Sequence, residues 1–163
     1  MAHNSYDLLE SWKAVPGINE AGDDVEAAHL MDWVHQAREA LAQSKRLAVG
    51  DVTLGQVFAY APTGADGIWP HPAVREVIES VQSRELESGF RTGIFNSRGV
   101  FSKSLGEGGE QERALAAKYR GYADALLGSA PRTAGALRRV AEGYQRNALQ
   151  EDQEAELRED LGH

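Results

Sequence analysis

Two carboxylate–histidine pairs, Glu26 with His29 and Asp32 with His35, stand at three-residue spacing along one stretch of the chain. A carboxylate three residues before a histidine puts two ligands on one helix face, which is how di-iron bundles hold metal. At about 100° per residue, however, His29 and His35 point roughly 120° apart, and no second pair of this kind recurs in another helical stretch. These four residues therefore read as the solvated side of an amphipathic helix. His71 lies between Pro70 and Pro72, beside Trp69. Such a histidine offers a general base or a docking residue, yet the simpler reading is a packed corner in which the prolines set the entry angle of the next helix. The chain has no cysteine, which removes thiol catalysis, disulfides and thiolate metal sites. It also has no Gly-x-Ser-x-Gly elbow, no His-Glu-x-x-His and no phosphate loop ending in Gly-Lys-Ser or Gly-Lys-Thr. The sequence thus predicts a protein that is not an enzyme, with no metal or cofactor.

Binding is the better-supported chemistry. The glycine-rich stretch 96–109 runs into a helix start at Glu110, and it carries Asn96, Arg98 and Lys103. Unpaired amides and the positive end of a helix dipole suit an anion, but Glu110 and Glu112 already occupy that first turn and would repel a phosphate. A second candidate surface holds Arg132, Arg138 and Arg139, which could accept an acidic partner. The overall charge is −8, unevenly placed. Residues 84–150 hold 11 basic and 7 acidic side chains, whereas residues 151–163 hold one basic and six acidic. This pattern disfavours a general nucleic-acid binder, which needs many clustered cations. It leaves room for a local anionic partner or for self-complementary docking.

The succession Gly93-Ile94-Phe95-Asn96-Ser97-Arg98-Gly99-Val100, then Gly108-Gly109-Glu110-Gln111-Glu112-Arg113, then Pro131-Arg132-Thr133 and Leu137-Arg138-Arg139-Val140-Ala141 is similar to an uncharacterised helical region near the C-terminus of large bacterial multidomain proteins. Trp12-Lys13-Ala14-Val15-Pro16-Gly17 and Asp66-Gly67-Ile68-Trp69-Pro70 fit the same region, so the likeness spans residues 12–160. It implies a module of a larger polypeptide whose enzymatic or sensing parts lie elsewhere, and it implies no catalytic residue.

The elements that would position these residues are helical almost throughout, since apolar residues recur at three- and four-residue steps and strand alternation is nearly absent. A short helix is predicted over residues 6–14, ending before Pro16-Gly17. A long one follows over 24–46, capped by Asp24 and stopped by Gly50. Asp51 is read as the cap of the next helix, which Pro62 closes, and Pro72 opens another that runs to about Gln82. Ser83 caps a helix to about Phe95, weakened by Gly89 and Gly93 at roughly 1 kcal/mol each relative to Ala. Two last helices cover 110–127 and the run from Pro131, and the stripe dissolves past Gln150 into turns that are solvated, frayed or projecting towards something absent from this chain. With 163 residues, the expectation is an all-α, single-domain bundle of about seven helices over residues 1–163, ending in a long antiparallel helical hairpin. Residues 1–5 and 152–163 are expected to be frayed or disordered. The polar N-terminus lacks a secretory signal, so a cytoplasmic chain is predicted. The expected function is a non-catalytic protein–protein interaction or assembly module, binding another protein or another domain of a larger polypeptide. The alternative is a small-ligand or nucleic-acid sensor that uses loop 96–109 as an anion cradle.

Overall fold

The computed structural model describes residues 13–98 and 108–161, and the helical periodicity resolves there into six helices. They are α1 (Ala27–Gln43), α2 (Leu47–Phe58), α3 (Pro72–Val81), α4 (Arg84–Ser97), α5 (Glu110–Leu126) and α6 (Pro131–Leu161). The only extended pairing among the described residues is a single antiparallel bridge between Ile18 and Val25. The helix expected over 6–14 falls mostly outside the described residues, and its last two positions, Lys13 and Ala14, are not helical. Among the described residues no helix is long and apolar enough to cross a membrane.

Three helix boundaries differ from those read in the sequence. Asp24 does not cap α1, whose N-cap position is Glu26 without a side-chain bond; Asp24 instead accepts a hydrogen bond from His71 Nε2 at 2.9 Å. The long helix stops at Gln43 because Lys45 takes a left-handed conformation, φ 58°, which few residues other than glycine adopt cheaply. Gly50, expected as a stop, lies inside α2, where an added Cβ would strike Leu41. Asp51, expected as a cap, also lies inside α2, buried and held by Arg38.

Elsewhere local chemistry decides. Pro72 starts α3, and His71 Nδ1 accepts from Ala73 N at 3.1 Å, so an imidazole caps this helix. Because Nδ1 accepts, Nε2 carries the proton given to Asp24. Gln82 in a left-handed conformation ends α3 at once, and the Ser83 hydroxyl accepts from Leu86 N at 3.2 Å to open α4.

The most extensive packings join α5 to α6 and α2 to α4. Helices α2 and α4 cross at glycines: an added Cβ at Gly89 would collide with the Val52 carbonyl, and one at Gly55 with the Leu86 carbonyl. Gly89 and Gly93 are therefore contact points that let two backbones touch, more than weak spots in a helix. The core runs through Leu30, Val34, Phe58, Ile78, Phe90 and Leu137, all at 0% exposure. An aromatic chain ties the corner to the last helices, with Trp69 stacked on Phe90 at 5.4 Å and Tyr119 on Tyr144 at 5.8 Å. Trp69 Nε1 donates to the Ala61 carbonyl at 2.7 Å, so the indole is both packed and polar-satisfied. At its far end α6 passes the start of α5, where Asp152 accepts from Gly109 N at 2.8 Å and pairs with Arg113 at 2.6 Å. Beyond that point the helix continues to Leu161 with its side chains largely exposed.

Candidate functional site

Helices α4 and α6 lie side by side and run in the same direction, with Arg84 near Arg132 at their starts and Gly143 against Phe95 farther along. Over the first turns of both helices they leave a groove of about 690 Å³. It is lined by Arg84, Arg91, Arg132 and Arg139, by one carboxylate, Glu87, and by the small residues Ser88, Gly135 and Ala136. The arrangement follows from spacing: Arg84 and Arg91 stand seven residues apart on α4, and Arg132 and Arg139 seven apart on α6. Seven residues are two turns, so each pair projects from one face about 10.5 Å apart.

The four arginines are not equivalent. Arg132 is fixed, because its Nε donates to Glu87 at 2.9 Å while its backbone N–H donates to Glu79 at 3.2 Å. Glu79 also accepts from the backbone N–H and the hydroxyl of Thr133, at 2.8 and 3.0 Å, and so caps α6 from α3. Among the described residues no ion pair holds Arg84, Arg91 or Arg139. Burial depresses the affinity of the Arg91 guanidinium for its proton, Arg139 adds like-charge repulsion, and Glu87 offsets part of both. Arg84 and Arg132, in the first turns of α4 and α6, also oppose the helix dipoles by about 0.3–1 kcal/mol each. An incoming carboxylate or phosphate would relieve all of these terms together, and arginine forks are the donors best shaped for it.

Of the residues singled out in the sequence, the structure brings Arg132 and Arg139 together here. Arg138 points elsewhere, 3.5 Å from Asp124 on α5, with both side chains exposed. Asn96 is exposed near the end of α4. Arg98 turns inward to Glu112 at 2.9 Å and lies over the Tyr144 ring, 5.6 Å from its centre. Glu112 is buried at 2% exposure, which makes Arg98 a structural ion in the α4–α5–α6 junction. Lys103 and most of loop 96–109 lie outside the described residues. The start of α5 just after that loop is already occupied by an internal carboxylate, Asp152 on Gly109 N. Arg84 and Arg91 were missed by sequence reasoning. Their signal was present as a seven-residue arginine spacing that α4 shares with α6, visible only when the two helices are laid side by side.

The other candidate chemistry does not assemble. Glu26, His29, Asp32 and His35 are exposed on or beside α1, and among the described residues no group of three or more His, Asp or Glu side chains could hold a metal ion. Arg75, buried on α3, is fully used: it donates to the Pro70 carbonyl at 2.6 Å and forms a bidentate pair with Asp66 at 2.7 and 3.1 Å. No protein-family model matches the chain, and searches of curated proteins and of solved structures return no match. The chemistry of the groove rests on its own geometry.

Proposed function

We propose that this chain is a non-catalytic docking module whose α4–α6 groove receives an acidic segment of a protein partner. One observation carries the reading: four arginines meet over the starts of two parallel helices with a single carboxylate among them. A groove in which guanidinium forks stand around small residues suits a carboxylate-bearing chain. The α5–α6 pair, read as a long antiparallel hairpin, supplies a rigid back to this surface. The likeness to a C-terminal region of large bacterial proteins supports the same reading, with the partner on another domain of a cytoplasmic polypeptide or on a separate protein.

Fluorescence anisotropy with a labelled glutamate-rich helical peptide tests this. Binding that weakens roughly tenfold or more in Arg84→Glu/Arg139→Glu, and that fades with salt, is the expected result. Equal affinity in the wild type and this variant would overturn the proposal. Binding of nucleotides in place of the peptide would favour the anion-sensor reading instead.

A further inference from the structure

The exposed end of α6 is acidic. Past Asp152 the helix carries Glu154, Glu156, Glu159 and Asp160 against the single cation Arg158. Glu156 and Asp160 follow at a four-residue step, about 6 Å apart along the axis, beyond Asp152, which is held by Gly109 N and Arg113. The groove offers Arg84, Arg91 and Arg139, which no ion pair holds among the described residues. Leu157 stands between Glu156 and Asp160 and Leu161 just after them, 60% and 86% exposed, and among the groove residues Gly135 is exposed, with nothing within 4 Å of an added Cβ. The acidic end cannot reach the groove of its own molecule. Both lie on the same helix, and from Arg139 to Glu156 the rise is about 26 Å along one rigid axis.

Resting on the reading of the groove given above, we propose that its occupant is the acidic end of α6 from a second copy of this chain. One helix carries the basic pole at its start and the acidic pole at its end, so two copies of α6 set antiparallel satisfy both poles of both molecules at once. Such a contact is two-fold and closed. The net charge of −8 opposes association in general, but the asymmetry along α6 gives this one orientation an attraction that others lack. A closed pair also shields exposed Leu157 and Leu161 from water.

Sedimentation equilibrium on the full chain tests the pairing at about 0.01 M and about 1 M salt, where charges are screened over roughly 30 and 3 Å. Twice the monomer mass is expected at low salt, with dissociation at high salt. Arg84→Glu/Arg139→Glu and Glu156→Lys/Asp160→Lys should each be monomeric with unchanged circular dichroism, and an equimolar mixture of the two should recover the dimer. A wild type that stays monomeric at low salt, or a dimer that survives either reversal, overturns the proposal. The glutamate-rich peptide separates this failure from failure of the docking reading: if it binds the groove of monomeric Glu156→Lys/Asp160→Lys while the wild type does not pair, only the second copy is wrong as partner.

Discussion

Arg38 and Asp51 show how one ion pair fixes a junction. Asp51 is 2% exposed, and Arg38 holds both of its oxygens, at 2.8 and 3.1 Å. Removing the cation strands a buried carboxylate, so Arg38→Ala should lose about 3–5 kcal/mol in urea unfolding, whereas replacing both residues by leucine should recover most of it. The glycine before Asp51 made it resemble a cap in the sequence; a partner thirteen positions upstream decides its role. Arg98→Ala belongs to the same class. It should destabilise the fold by about 1.5–3 kcal/mol, as expected for a charge-assisted hydrogen bond, so any effect on partner binding must be judged against its melting curve. Asp66 gives a pH signature. The hydrogen bond from Arg75, aided by one from Ile68 N, lowers its carboxyl from 3.8 to about 2. A depressed acid contributes stability that is present above its ordinary value and lost as pH falls through the folded one. Trp69 fluorescence should therefore report loosening of the corner between about pH 4 and pH 2, and Asp66→Asn should remove that pH dependence.

At the scale of elements, glycine behaves oppositely in two helices. Gly121 on α5 has nothing within 4 Å of an added Cβ, so Gly121→Ala should stabilise by about 0.5–1 kcal/mol through helix propensity alone. Gly89 on α4 abuts the Val52 carbonyl. Gly89→Ala should gain the same propensity and still lose about 1–3 kcal/mol overall as α2 and α4 are forced apart. Thermal melts of the two variants, moving in opposite directions, check both. Propensity in the sequence could rank these glycines only as equals, because a close crossing involves a helix more than thirty residues away. Cap chemistry was more readable. Pro72 and Ser83 start α3 and α4 where the sequence places them, since both act within three residues of themselves.

For the whole molecule, charge placement matters more than net charge. Positive groups gather over the starts of α4 and α6, and negative ones at the far end of α6. Arg139 is exposed and without an ion partner among the described residues, so Arg139→Glu should change unfolding stability by no more than about 0.5 kcal/mol, the range of ordinary surface changes. The same substitution should weaken acidic-peptide binding, and calorimetry with anisotropy on one preparation separates the two effects. Past Gln150 the helix keeps its form to Leu161 with its side chains largely exposed, its first exposed turn pinned by Asp152 to Gly109 and Arg113.

By itself, the sequence determined the helical class, the stripes that become the core, the corner around Trp69 and the uneven charge, because each depends on periodicity, local caps or simple counting. Tertiary structure alone decided which arginines share a groove, which are spent on buried carboxylates, and where two backbones touch. Those outcomes depend on neighbours brought together from distant positions, and no rule of local spacing contains the angle at which two helices meet.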